Sequence, residues 1–458
     1  MDFQPHFERS SIPKRLQIGL LQVLYHYYLE EEFIPLYSSR ALGKRAVFIK
    51  PGFRSMTRWG KAVSVPILSR FSLFRMCFIM IWCLVFRQRI KQRYDSFIAC
   101  HILVEYNNNP RLLSMAETLF AGLDGVYYLN HVMPYIVFGI HRQYMSELCR
   151  TLKSVHIPGG IKLHIGLIFL SYINILFKTE PGKMVSMNEF SYKSGIIAYA
   201  AEVMHVITYN VAHSVTFGYE KAHNPYDYYF VFGQKSIDNF FSMQGLSMSN
   251  PIAGGSVKDD ILFRHVSKIP GSNQGDDTLF RILLLSTYFL KNDERNKFDH
   301  YKKLHGIIRQ NPNIHWTIKM HPEMLKMNDR GLGVEEQVFS NSENVDLVRE
   351  GDNFHLISES HLVISYEHST AGLDALILKK PIILLRLDGY NYRDAIGYQD
   401  TNYVMFCENI DRLHECIWAM ELRIRHNQLD LAALKTYLGK HFSRQGEAAH
   451  FITGSILK

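Results

Sequence analysis

The sequence predicts an α/β protein of two successive doubly wound parallel-sheet domains behind a basic helical segment. Three observations support this. From residue 97 onward, short apolar runs of β-rich composition alternate with segments of helical spacing, the pattern of βαβ units. The turn-rich cluster Ile269-Pro270-Gly271-Ser272-Asn273-Gln274-Gly275-Asp276-Asp277 interrupts the alternation and reads as a linker. Leu362 to Leu385 reads as strand, hydroxyl-rich turn, short helix and a second strand that follows Pro381.

A chain of 458 residues exceeds one ordinary core, and roughly 150 residues per domain gives two or three. The expected division is a basic helical segment over 1–95, a first domain over 96–268 and a second over 278–458. In the first domain the strand candidates are Phe97 to Val104, Gly125 to Leu129, Met184 to Met187, Val206 to Tyr209 and Tyr228 to Phe232, and Glu105 to Pro110 reads as a turn. Helical spacing covers Arg111 to Gly122, Ser194 to His205 and Val257 to His265. In the second domain, strands are expected at Phe280 to Ser286, His315 to Met320 and around 362–385. Helices are expected at Asn296 to Gln310 and Ile410 to His426. The two domains are expected to face one another across a cleft, with the C-terminal helices covering or recrossing it.

Composition narrows the function classes. Hydrophobic content of 47% with 21% charged residues is that of a folded protein. The six cysteines are scattered without a CxxC pair, so neither a disulfide framework nor a zinc site is spelled out. The polar start Met1-Asp2-Phe3-Gln4 lacks a signal-peptide pattern, and a reducing cytoplasm fits best. The net charge of +8 is concentrated early, since residues 1–100 carry 16 Lys/Arg against 6 Asp/Glu. Within that part, Met76 to Phe86 is an apolar run of 11 residues with cationic flanks. A bilayer span needs about 20, so residues 66–93 could dock at the inner membrane surface or form a buried helix. Nucleic acid is not expected as a partner, because basic and aromatic residues do not interleave here.

Candidate chemistry lies at strand ends. In open parallel sheets ligands bind outside the carboxyl ends of the strands, which places Ser365, Ser369, Thr370 and Ala371 where a phosphate could sit. The same residues would serve equally as a Ser/Thr helix cap. Trp316-Thr317-Ile318-Lys319-Met320-His321-Pro322 puts Lys319 and His321 at another strand end, with Pro322 turning the chain, where cations could stabilise charge on a leaving group. Glu189 and His213 end strands in the first domain and could act as base and as oxyanion or phosphate partner, though Glu189 would also suit a helix start. The turn Gly254-Gly255-Ser256 offers amides to a phosphate but lacks the Walker lysine and the GxGxxG spacing. There is no HExxH and no DxD at a strand end, and Asp259-Asp260 reads as a dipole-compensating pair. No cofactor and no metal are expected.

Taken together, the Asn188-Glu189 strand end, His213, the "YDYYFVFG" strand, "GGSVKDD", His321-Pro322, and Ser369-Thr370 with "LDALILKKPIILL" resemble the GT-B nucleotide-sugar transferases of bacterial surface polysaccharide synthesis. The similar groups are capsule and lipopolysaccharide glycosyltransferases, CMP-sugar-using Kdo and polysialyl transferases, and CDP-glycerol glycerophosphotransferases. The resemblance covers about residues 97–420. It implies two facing Rossmann-like domains, a nucleotide-sugar donor, a polysaccharide or lipid-linked acceptor, and metal-independent transfer. Donor phosphate and nucleotide would be bound by Lys319, His321, Ser369 and Thr370, with Glu189 as acceptor base. Arg386 and Asp388 could also touch the nucleotide. The chain departs from the pattern at Asn210-Val211-Ala212-His213-Ser214, where many relatives have Gln-His-Gly. Alternatives are a polyol-phosphate transferase, a UDP-GlcNAc 2-epimerase-like enzyme, and a non-catalytic assembly partner of the same fold.

Overall fold

The computed structural model describes residues 13, 15–16, 97–106, 110–130, 144, 148, 159–187, 194–213, 224–242, 249–266, 279–286, 294–321, 334–349, 351–366, 369, 371–386, 398 and 401–458. Most of the basic segment 1–95, the stretch 66–93 and the linker 269–277 lie outside them. The chain forms two compact units, one of residues 1–258 with 447–458 and one of residues 259–446. Helical residues 260–266 therefore group with the second unit and the last helix with the first, a different partition from that expected at the linker.

The first unit runs β1 (Ile102–Tyr106), α1 (Pro110–Leu119), β2 (Val126–Asn130), α2 (Gly159–Thr179), β3 (Lys183–Ser186), α3 (Ser194–Val203), β4 (Ile207–Val211), β5 (Tyr228–Val231), α4 (Gln234–Ser242) and β6 (Asn250–Ala253). Its strands pair in parallel in the order β2-β1-β3-β4-β5-β6. Successive strand side chains point to opposite faces, and both faces here are covered. Leu103 and Met184 pack with Ile165, Ile168 and Ile197 of α2 and α3. Ile102, Val104 and Val185 pack with Leu112 and Met115 of α1 on the other side. Arg15 and Leu16 join this unit: Leu16 is buried in its core, and the buried Arg15 guanidinium pairs with Asp227 and donates to the Ala198 carbonyl.

The second unit contains α5 (Asp260–Val266), β7 (Phe280–Leu285), α6 (Glu294–Gln310), β8 (Ile314–Lys319), α7 (Val334–Phe339), β9 (Val345–Val348), α8 (Asn353–Glu359), β10 (Leu362–Tyr366), α9 (Ala371–Ile377), β11 (Ile382–Leu385), β12 (Val404–Cys407), α10 (Leu413–Arg425) and α11 (Leu431–His441). Its sheet order is β12-β11-β10-β7-β8-β9, again all parallel. This is the 3-2-1-4-5-6 Rossmann order, with a switch point between β7 and β10. The Val257 to His265 segment begins as a 3-10 turn over Val257–Asp259 and becomes α-helical only at Asp260. Helix α10 packs on this sheet through Leu413, Ile417 and Met420. The return to the first unit is made instead by α12 (Ala448–Leu457), which adds Ala449, Ile452 and Ile456 to the first unit's core.

Three observed strands, β6, β9 and β12, have no counterpart in the sequence reading, and Glu105 and Tyr106 extend β1 where a turn was expected. Pro251 is tolerated in β6 because that strand is an edge. Among the described residues no helix is long and apolar enough to cross a membrane.

Close packing at α9 fixes the turn that precedes it. A Cβ on Gly372 would lie 2.7 Å from the Tyr398 hydroxyl and 2.8 Å from Ile382 Cδ1, while that hydroxyl donates to the Ser369 carbonyl at 2.8 Å. Gly372→Ala is therefore expected to push Tyr398 off Ser369 and to cost about 1–3 kcal/mol, the usual range for overpacking. Denaturant unfolding of the variant checks this, and an unchanged midpoint would show that the contact relaxes freely.

Candidate functional site

Parallel pairing puts the carboxyl ends of the second unit's strands on one edge. In register, Leu285 stands opposite Lys319, Lys319 opposite Val348, Tyr366 opposite Leu385, and Leu385 opposite Cys407. The Lys319–His321 end of β8 and the Ser365–Ala371 turn after β10 consequently flank β7, with the switch point on the β10 side. Residues far apart in sequence thus share one edge, where an open α/β sheet binds ligands.

The individual side chains differ in what they offer there. Lys319 is buried, and its ammonium donates to the Arg349 carbonyl at 2.7 Å and the Met320 carbonyl at 3.4 Å. Its charge lies within the edge rather than projecting from it. His321 is half-buried just beyond the strand. Ser365 is fully buried, with a hydroxyl that makes no hydrogen bond among the described residues. Ser369 closes a turn by donating its amide to the Tyr366 carbonyl at 2.8 Å, and its hydroxyl accepts from the Ala371 amide at 3.3 Å. The capping role is therefore present. Arg386, just past β11, pairs with Glu408. Pro322, Thr370 and Asp388 lie outside the described residues.

In the first unit, the Gly254 and Gly255 amides both donate to the Val231 carbonyl, at 2.9 and 3.2 Å. The donor expected from Gly255 for a phosphate is thus occupied by the sheet. Gly255 has φ +91°, a conformation that favours glycine, and Ser256 beside it is buried. His213 follows β4 and is half-buried, and Glu189 lies outside the described residues.

Sequence reasoning missed two buried polar clusters. At the switch point of the first sheet, the fully buried Glu105 carboxylate accepts from the Tyr172 hydroxyl at 2.8 Å and the Ser186 hydroxyl at 3.0 Å. The signal for it was a charge placed directly after the apolar run Ile102 to Val104. The second cluster lies beneath the candidate edge. Ser286, Tyr301, Glu335, Tyr366 and His300 converge there from β7, α6, α7 and β10. The Ser286 and Tyr301 hydroxyls are 2.7 Å apart, Ser286 donates to Glu335 at 3.4 Å, and His300 Nε2 lies 3.2 Å from the Tyr366 hydroxyl. No sequence motif announces this convergence of separate elements.

The cluster's ionisation follows from burial. Burial, then the Glu335 charge, raises the Tyr366 hydroxyl pKa, and Tyr301 is raised in the same direction by burial with Tyr366 and Glu335 adding to it. Burial, with a smaller contribution from Lys303, lowers His300 from 6.5 to about 4. The edge therefore rests on neutral hydroxyls and a neutral imidazole at physiological pH. Among the described residues no group of three or more His, Cys, Asp or Glu could hold a metal ion.

No known family model matches the chain, and no curated protein matches it. Solved structures do. The chain is similar to a Listeria monocytogenes protein assigned as a UDP-N-acetylglucosamine 2-epimerase, at 15% identity and TM-score 0.50, over 79% of this chain and 96% of that one. It also matches a Neisseria meningitidis UDP-GlcNAc 2-epimerase bound to UDP-GlcNAc, at 15% identity and TM-score 0.49, over 78% of this chain and 99% of that one. A third match is Acinetobacter baumannii MurG, at 11% identity and TM-score 0.46, over 78% of this chain and 98% of that one. At such identities likeness speaks to the fold alone, and the fold is GT-B-like: two Rossmann-like α/β units.

A pH dependence follows from His300. Because its folded pKa lies below the ordinary value, the unfolded chain binds the proton first, so stability present above pH 6.5 is lost as pH falls towards about 4. The loss attributable to this group is up to about 3 kcal/mol. His300→Gln should flatten that part of the stability profile in acid unfolding. An unchanged slope between wild type and variant would assign the acid sensitivity elsewhere.

Proposed function

We propose that this protein is a nucleotide-sugar-dependent enzyme that holds the donor's nucleotide and phosphate at the carboxyl edge of β7, β8 and β10. The observation that supports the reading is that β8, which leads into His321, and β10, which leads into the Ser369 turn, both pair in parallel with β7. The motif resemblance favours glycosyl transfer from a CMP-sugar to a surface polysaccharide or glycolipid, without a metal. In that reaction the acceptor hydroxyl attacks the anomeric carbon and the nucleotide phosphate departs. His321 would stabilise the departing charge, with the Ser369 to Ala371 turn orienting the phosphate and Lys319 adding positive potential from within the edge. Glu189 as acceptor base and His213 as its partner belong to this proposal on the sequence alone, as does docking of residues 66–93 on an anionic membrane surface.

A second reading is a 2-epimerase acting on UDP-GlcNAc, favoured by the TM-score of 0.50 to the Listeria protein. It would use the same nucleotide edge and needs no acceptor. The two separate in one assay. The purified protein is incubated with a CMP-sugar or UDP-GlcNAc, with and without a lipid-linked acceptor and with and without EDTA. Acceptor-dependent loss of the CMP-sugar that survives EDTA supports transfer. Appearance of the C2 epimer of UDP-GlcNAc without acceptor supports epimerisation. No turnover of either donor counts against both.

His321→Ala is expected to lower turnover at least tenfold, the scale of losing one charge-stabilising contact, with the melting temperature unchanged. Retained turnover would remove His321 from the chemistry. Saturating cognate nucleotide, at about 100 times its dissociation constant, should add roughly 2.7 kcal/mol of stability, read as a raised melting temperature.

A further inference from the structure

Among the described residues no strand pairs with β12 on its outer side, and β11 holds its inner side in parallel. The Ile382 amide donates to the Tyr403 carbonyl at 2.8 Å and the Arg386 amide to the Cys407 carbonyl at 3.0 Å. Backbone groups alternate in direction along a strand, so the N–H and C=O of Phe406 point away from β11, out of the sheet. Such edges are ordinarily blunted by a charge or a proline. The opposite edge of this sheet, β9, carries Asp346, whose side chain is 67% exposed, and β6 of the first unit carries Pro251. Val404-Met405-Phe406-Cys407 of β12 contains neither. Beside it lies a surface groove of about 590 Å³ lined by Met405, Phe406, Arg412, Glu415 and Trp418. Trp418, on α10, is 62% exposed. Aromatic residues, Met and Arg are enriched in protein interfaces, and Trp is a frequent anchor there.

We infer that this face binds a second copy of the chain across a two-fold axis, with β12 of the two copies pairing antiparallel. A two-fold contact needs a surface that complements itself, and this one does so in three ways. Phe406 offers one donor and one acceptor outward, so the Phe406 residues of the two copies can exchange both hydrogen bonds, as directly opposed residues do in an antiparallel ladder. The charges of the face balance: Glu408 pairs with Arg386, and Arg412 with Glu415 at 3.1 Å. A strongly acidic or strongly basic partner finds no net opposite charge there, whereas an identical face brings equal numbers of both signs. Met405 and Cys407 face the same core as Ile417 and Met420 of α10, so an axis normal to the sheet keeps both α10 helices on one side. The two Trp418 side chains then leave water against the facing grooves, which supplies the apolar centre of the contact.

The test is sedimentation velocity of the full chain over a hundredfold range of concentration, with amide hydrogen exchange at the two ends of that range. The expected result is the mass of two chains at the high end and one at the low end, with exchange at residues 404–408 and 412–419 faster when dilute. Trp418→Glu should sediment as one chain throughout with an unchanged melting temperature. Glu415→Arg, which leaves the face with excess positive charge, should do the same and serves if the first variant fails to fold. A single chain at every concentration would overturn the inference. So would a two-chain species that survives both substitutions, or one whose concentration-dependent protection lies outside those residues. Protection of 404–408 in a single chain would mean that the edge is covered from within the same molecule, which also overturns it. Mass and exchange are read without substrate, so the outcome is independent of whether the protein transfers or epimerises a sugar.

Discussion

The parallel pairing of β10 against β7, with Leu362 beside Ile282 and Ile364 beside Leu284, is the constraint on which the candidate site depends. Those two strands are separated by the whole β8-β9 excursion, yet their pairing makes the chain reverse its direction of travel across the sheet at that point. A crevice at the carboxyl ends is what this reversal of strand order gives in an open parallel sheet. The buried runs Phe280 to Leu285 and Ile382 to Leu385, covered on both faces, hold that arrangement in place.

Beneath the edge, the polar cluster of Ser286, Tyr301, Glu335, Tyr366 and His300 binds four elements through hydrogen bonds in a low-dielectric setting. Buried polar groups are costly unless satisfied, so their mutual contacts hold these elements against one another. Lys319 adds to this by joining β8 to the end of β9 through the Arg349 carbonyl. Its ammonium thereby contributes a fixed positive potential rather than a mobile hand. Among the described residues, His321, the capped turn at Ser369 and Arg386 are the half-buried polar groups named at this edge.

The alternation of strands and helices was legible because central parallel strands are continuous apolar runs. The three unforeseen strands, β6, β9 and β12, are all edges, where one side of the ladder is open and burial is partial. Pro251 in β6 and Asp346 in β9 interrupt any such run, whereas β12, Val-Met-Phe-Cys, is apolar throughout but only four residues long, too short to tell from a helix segment by its pattern. At the site, the strand-end positions of Lys319, His321 and Ser369 could be read from the sequence. The inward tie of Lys319 and the occupied Gly255 amide could not, because each depends on a carbonyl supplied by another strand. Glu105 was hidden by composition, since Glu-Tyr-Asn-Asn-Asn-Pro reads as a turn although its first two residues remain in the ladder.

The most direct test of the central claim is amide hydrogen exchange of the whole protein with and without saturating CMP, CDP or UDP. Binding at the carboxyl edge of the second sheet predicts that one of these nucleotides slows exchange at residues 319–321 and 366–371, with the opposite edge around His361 and Pro381 unaffected. Protection confined to other segments, or none with any nucleotide, would contradict the account.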